Sequence, residues 1–383
     1  MWLNNLRIPG DEAGTDILVE GDSIMGTRAA MGNRQVLYFD GALVFPGLIN
    51  SHDHLDFNLF PAIANRVYTN YRDWGRDIHI ANKGAIRAVL QIPQPLRVLW
   101  GMYKNLLNGF TTVVNHGDRL KVPAGLITVF QEYHCLHSVG FERNWKWKLN
   151  RPLTDNLPFV LHAGEGTDAL AGEEIDMLLR WNLFSRPLVG VHGVAMNEEQ
   201  AAGFRALVWC PSSNYFLLDR TAPVGRLKRR VPILFGTDST LTAEWNSWPQ
   251  IRQARQEGAL TDEEILATLT TAPAAVWKLD DRGVLAAGKK ADLVIARPKP
   301  GLKGMDAFFA LDPEDLLLVL HQGRILLFDV SIRDMLMRAG MGDLDFDFTC
   351  CGQKYIVGDV PGLMGEIRRY YPAAQFPGML VNG

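Results

Sequence analysis

From Ala42 onward, short apolar runs recur along the chain, and each ends in a cluster of polar residues. They span residues 42–54, 111–118, 127–138, 158–166, 187–197, 206–214 and 232–240. The runs are continuous rather than alternating, which describes strands covered on both faces, as in a parallel sheet. Helical stretches separate several of them. The pattern therefore predicts repeated strand–helix units, and six or more such units favour closure into a barrel. In a barrel the functional side chains gather where the strands end, at the C-terminal mouth. His52, His54, His162, His192 and Asp238 all stand at such ends.

The flanks differ. The first forty residues read as strands broken by glycine, ILVEGDSIMG, then RQVLYF, then ALVFPG. Strand character returns after Asp281 in RGVLAAG, KKADLVIARP and DLLLVLHQGRILLF, with residues 297–301 as a loop. The expected organisation is a barrel over residues 46–283 and a small β-sandwich built from residues 1–45 and 284–383. Helical period is clearest over Thr261–Lys278, where Asp262, Glu263 and Glu264 follow Thr261 and fall in a first turn that favours negative charge. The segment after Met337 shows no assignable pattern.

Composition excludes several partners. Thirty-nine basic against 42 acidic residues give a net charge of −3, and no basic block points to nucleic acid or an anionic membrane. Uncharged stretches fall short of the ~18 apolar residues of a membrane span. The N-terminal segment lacks a basic region followed by an apolar one, so it does not read as a secretion signal. Four cysteines, Cys135, Cys210, Cys350 and Cys351, with no CxxC pair, read as a reduced, cytoplasmic protein.

His52-Asp53-His54 places two imidazoles on one face of a strand, within reach of one ion. His162 and His192 each end a separate run, where a lone histidine is usually structural, and Asp238 in GTDS could equally cap a helix. The ordered set changes that balance. Three histidines and one carboxylate leave a position open for water, the arrangement of a catalytic rather than a structural metal site. One divalent ion is expected, with zinc favoured over iron. Glu165, three residues after His162, could reach into the same pocket as a proton donor or could cap the next helix. CPSSN (210–214) reads as a turn that could touch substrate. His116, His134 and His137 are equally pocket-lining or structural; Trp74, Trp145 and Trp147 are candidate walls for a flat substrate; Lys146 and Lys148 read as solvated.

These residues resemble the amidohydrolase superfamily. The likeness runs in order through FPGLINSHDH (45–54), GFTTVV (109–114), HAGE (162–165), His192, CPSSN (210–214), GTDS (236–239), TTAPAA (270–275) and GVLAAGKKADLV (283–294). The HxH, HxxE, His and Asp spelling resembles the mononuclear branch that holds cytosine and guanine deaminases, adenosylhomocysteine-type deaminases, triazine hydrolases and imidazolonepropionase. The resemblance implies an α/β fold, a (β/α)8 barrel with a small β-sandwich from both chain ends. It implies that His52, His54, His162 and Asp238 bind one metal, that Glu165 protonates the substrate, and that His192 orients water or a substrate oxygen. A homodimer follows from the resemblance alone. His116 and His162 stand 46 residues apart, where barrel units of ordinary size need roughly 70, so the barrel is expected to be degenerate around its third and fourth units.

The function expected from this reading is deamination of a nitrogen heterocycle, a small-molecule substrate. Water activated by the metal attacks the amino-bearing carbon, Asp238 takes the proton as general base through a free oxygen, and Glu165 protonates the adjacent ring nitrogen. Opening of a cyclic amide, or loss of chloride or alkylamine from a ring, uses the same site. A non-catalytic scaffold is the remaining alternative, and lost ligands would mark it.

Overall fold

The computed structural model of the chain describes residues 1–11, 13–26, 36–341, 348–349 and 352–377. Cys350 and Cys351 lie outside these residues, and Cys135 and Cys210 are free thiols. Eight strands carry the apolar runs: β1 Leu48–Asp53, β2 Phe110–Asn115, β3 Thr128–Phe130, β4 His134–Ser138, β5 Phe159–Ala163, β6 Leu188–His192, β7 Ala206–Trp209 and β8 Ile233–Phe235. All their ladders are parallel. β1, β2 and β3 form one sheet, and β4 to β8 form a second in sequence order. The sheets adjoin just past β8, where the Asp238 N–H donates to the His52 carbonyl at 3.0 Å and the Thr237 N–H to Asn50 Oδ1 at 3.1 Å. The eight strands begin a mixed α/β fold in which the continuous runs are buried on both faces, as their composition demands.

Helices cover most of these strands. α1 (Tyr71–Ala81), α2 (Lys83–Leu90) and α3 (Gln94–Leu107) lie between β1 and β2. α4 (Trp145–Asn150) follows β4, and α5 (Ala169–Trp181) follows β5. α6 (Glu198–Ala201) precedes β7, and α7 (Pro211–Leu218) and α8 (Val224–Leu227) precede β8. Among the described residues no helix separates β2 from β4, which explains the short spacing noted in the sequence. The run 127–138 is two strands, split at residues 131–133. There the Gln131 amide clips the preceding loop, accepting from the Leu120 N–H at 2.6 Å and donating to the Leu120 carbonyl at 3.1 Å. The Arg282 guanidinium braces β2 to β3, donating to Thr112 Oγ1 at 3.1 Å and Thr128 Oγ1 at 2.9 Å.

Both chain ends join one nine-stranded sheet. Its N-terminal strands are Trp2–Arg7, Gly14–Glu20, Ser23–Gly26 and Val36–Pro46, and its C-terminal ones are Leu293–Ala296, Leu316–His321, Arg324–Asp329, Phe348–Thr349 and Gln353–Ile356. Each face carries part of an apolar core. Val294 and Ala296 pack with Leu107 and Phe110 of the strand–helix body, whereas Leu293 and Ile295 join Leu3, Ile17 and Ile24 in a second apolar cluster. Three expectations are corrected. RGVLAAG forms no strand, because Gly283 and Gly288 turn the chain at positive φ and Arg282 is drawn inward. Thr261–Lys278 is two helices, α10 (Asp262–Leu269) and α11 (Thr271–Trp277), after α9 (Ser247–Gln256); Thr270 breaks them at φ −137°, ψ −84°. The stretch beyond Met337 includes a helix, Val360–Tyr370, beside α3, where Tyr103 Oη donates to the Val357 carbonyl at 2.8 Å. Among the described residues no helix is long and apolar enough to cross a membrane.

Candidate metal centre

The strand ends converge on a cluster of imidazoles. His52 lies 5.0 Å from His54 and 5.1 Å from His162 between ring centroids, and His162 lies 4.9 Å from His192. His116, just past β2, stacks on His162 at 4.6 Å, and His137 of β4 stands 5.1 Å from the same ring. Five of these nitrogens are buried without a hydrogen-bond partner among the described residues: His52 Nδ1 and Nε2, His116 Nδ1, His162 Nε2 and His192 Nε2. Buried polar atoms are seldom left unpaired, so this convergence calls for an additional group among them.

The donors fit a divalent metal ion. His52, His54 and Asp238 can offer one atom each within 4.8 Å of one another; so can His52, His116 and His162, and so can His162, Glu165 and His192. Burial, reinforced by the neighbouring imidazoles, holds His52, His116 and His162 well below the usual histidine range. They therefore stay neutral, the form that binds metal.

Asp238 and His192 are set by strained backbone. Their φ values are +56° and +75°, a region that non-glycine residues rarely occupy and that clusters at functional sites. Asp238 Oδ1 faces His52 Nε2 at 3.8 Å and His54 Nε2 at 3.9 Å while accepting from the Ser239 N–H at 2.7 Å. Its Oδ2 accepts from Ser213 Oγ at 2.7 Å and Thr242 Oγ1 at 2.9 Å. Burial pushes this carboxyl upward, but His54, His192 and those donors outweigh it and hold it below the usual range. The free oxygen expected at Asp238 is therefore not Oδ2; Oδ1 keeps the open lone pair. His192 Nδ1–H donates to Asn214 Oδ1 at 2.8 Å, an amide orientation consistent with Asn214 Nδ2 donating to Thr221 Oγ1 at 3.2 Å. That tautomer leaves Nε2 as an acceptor, 3.6 Å from Glu165 Oε2. Glu165 Oε2 is also 3.5 Å from His162 Nδ1, and burial raises this carboxyl to about 7.

CPSSN is the start of α7 rather than a turn. Pro211 takes the first helical position, where its missing N–H is tolerated, and the helix aims Ser213 at Asp238 and Asn214 at His192. The cluster opens into a cavity of about 480 Å³, walled mainly by apolar side chains of the β1–β2 segment. Phe57 stacks on His54 at 5.3 Å and 15°, and Phe60, Trp74, Ile78, Ile86 and Phe141 continue the wall.

Residues 155–327 match the model of the amidohydrolase family. Two curated relatives are 5-methylthioadenosine/S-adenosylhomocysteine deaminases. The one from Pyrococcus furiosus is 25% identical over 76% of this chain and 85% of its own, and the one from Carboxydothermus hydrogenoformans is 22% identical over 73% and 79%. The likeness to the amidohydrolase family thus extends from the matched segment to relatives that cover about three quarters of the chain. Solved structures share its fold: an adenosine deaminase from Xanthomonas campestris with bound zinc, at TM-score 0.72 and 17% identity, covers 97% of this chain and 98% of its own. Atrazine chlorohydrolase from Arthrobacter aurescens complexed with zinc, at TM-score 0.70 and 16% identity, covers 96% and 99%.

Not every candidate reaches the histidine cluster. Trp74 lines the cavity, but Trp145 is buried elsewhere and Trp147 is exposed. His134 pairs with Asp155 at 2.7 Å, away from the cluster. Lys148 pairs with Glu142 at 2.8 Å, and Lys146 lies over the Trp181 ring at 4.0 Å; on α4 Lys146 is exposed and Lys148 half-buried. The reading of the sequence missed the layer beneath the histidines. Asp53 is fully buried, with Oδ2 accepting from Lys104 Nζ at 3.2 Å and Asn105 Nδ2 at 2.7 Å, and Oδ1 from Asn58 Nδ2 at 2.9 Å. Lys104 Nζ also donates to Thr237 Oγ1 at 3.3 Å and the Asp238 carbonyl at 3.1 Å. This lysine on α3 ties β1 to the end of β8. A buried charge demands such partners, but no local pattern reveals a pair 51 residues apart.

Proposed function

We propose that this chain is an amidohydrolase, a metal-dependent aminohydrolase that removes an amino group from a nitrogen heterocycle. The observation that carries the reading is the convergence of His52, His54, His162 and Asp238 beside Glu165 and His192 at the end of one apolar cavity. His52, His54, His162 and Asp238 would hold one divalent ion, zinc before iron, which in such sites lowers the pKa of a water molecule toward neutrality. Asp238 would turn Oδ1 to the ion and act as general base toward that water, while two hydroxyls hold Oδ2 in place. Glu165 delivers a proton to the ring nitrogen next to the amino-bearing carbon, and His192 Nε2 orients the attacking water. Phe57 and Trp74 stack against the flat ring and exclude bulk water. The proposal extends to architecture: β1–β8 form a degenerate barrel over residues 46–283, and residues 1–45 with 284–383 form a β-sandwich.

The apolar wall also favours a second reading on the same site, loss of chloride or alkylamine from a substituted ring. Ammonia release by metal-replete protein across aminopurines, aminopyrimidines, aminotriazines and pterins decides between them, with His162→Ala as the blank. Release that vanishes in the blank supports the aminohydrolase, and Glu165→Gln should then lower kcat by 10²-fold or more, on the order of a lost general acid. Silence across the panel with metal bound overturns it in favour of the second reading.

A further inference from the structure

We propose that His116 is a further metal ligand, supplied from the end of β2 to the ion held by His52 and His162. His116 is 2% exposed, and its Nδ1 has no hydrogen-bond partner among the described residues. One donor atom each from His52, His116 and His162 lies within 4.8 Å of the other two, as close a grouping as His52, His54 and Asp238 form. The four residues proposed above as ligands are thus spread over two triples that share His52, and His116 completes the second. Its ring stacks on His162 at 4.6 Å and 23°, and lies 5.0 Å from His52 and 5.2 Å from His54.

The other side of His116 is arranged as a ligand requires. Its backbone N–H donates to the Asp53 carbonyl at 2.8 Å, which pins the end of β2 to the end of β1. Its Nε2 lies 3.8 Å from Cys135 Sγ of β4. A proton on Nε2 directed at that sulfur leaves the Nδ1 lone pair facing the cluster, and such outer contacts orient metal-bound imidazoles. A histidine present only to pack against Cys135 would leave Nδ1 buried and unpaired.

The inference rests on the reading of a metal centre, and the test separates the two. Zinc affinity is measured by chelator competition on wild type, His116→Ala, His54→Ala and Cys135→Ala, with cobalt-substituted visible spectra of each and circular dichroism as a check on folding. His116→Ala should bind zinc at least about tenfold more weakly and alter the cobalt ligand-field bands, with Cys135→Ala milder on both. Should His116→Ala misfold, His116→Gln in the same spectrum takes its place, because its amide cannot reproduce an imidazole band. Unchanged affinity and spectrum in the His116 variants, with His54→Ala impaired, overturn the His116 assignment alone. Unchanged affinity in His54→Ala as well overturns the metal centre itself.

Discussion

Lys104→Met tests whether the layer beneath the histidines holds the two sheet ends together. Methionine keeps the helix preference of α3 and most of the aliphatic stem, so the loss isolates the ammonium. Asp53 and Lys104 side chains are 0% and 1% exposed, and removing one partner of a buried pair costs about 3–5 kcal/mol. Two features set the place within that range. Asp53 keeps its bonds from Asn105 and Asn58, which limits the loss. The Asp238 carbonyl gives up its donor from Lys104, which adds about 1 kcal/mol. We expect destabilisation of about 4 kcal/mol, read from the midpoint and slope of guanidinium unfolding of metal-free protein. Adding Asp53→Asn removes the stranded charge, so the double variant should be more stable than the sum of the singles predicts, by about 2 kcal/mol. A loss below about 1 kcal/mol for Lys104→Met, or strict additivity, would refute the reasoning.

Other perturbations check neighbouring parts. Gly236→Ala would place a methyl 2.7 Å from His52 Cβ and 2.8 Å from Val208 Cγ1, so zinc affinity by chelator competition should fall well before the fold does. Ser213→Ala removes one donor to Asp238 Oδ2 and should weaken zinc binding roughly 10-fold, the scale of a lost outer contact to a ligand. Burial raises the Asp329 carboxyl, but its bonds from Lys354 and Ser331 outweigh that and hold it below the usual range. Its contribution is therefore complete above the unfolded value of about 4 and is lost as pH falls through the lower folded value; Asp329→Asn should flatten that acid limb in thermal melts. Chelation should lower the melting temperature, since free zinc at a thousand times Kd contributes about 4 kcal/mol.

The strand ends were legible because their chemistry is ordered along the chain: His52, His54, His162, His192 and Asp238 each close an apolar run. What the sequence left open depends on distant partners. Lys104 sits in a helix whose last turns are buried nearly all round, yet by itself it reads as an ordinary surface lysine. His116 gains meaning only when the ring of His162 arrives beside it. The strand Trp2–Arg7 escapes period-two reading because Asn5 takes φ +58° and the pairing register shifts between Leu3 and Leu6. The division of Thr261–Lys278 at Thr270 is similarly invisible to periodicity, although the first-turn acids mark where the first helix begins; the Thr261–Glu264 capping box there emerges only in the structure. Serines of CPSSN looked like turn formers because Pro211 reads as a breaker until it is placed at a helix start.

The missing helix cover around β3 bears on how the molecule breathes. Its three residues are all half-buried, held by the β2 ladder and by Arg282, and among the described residues no ladder joins β3 to β4. Amide protection follows burial and pairing, so hydrogen exchange should open this seam before the strands around β6, which are buried throughout. His116 precedes the seam and Cys135 and His137 follow it, so each opening loosens one wall of the histidine cluster. Loosening this seam should therefore quicken zinc loss without global unfolding.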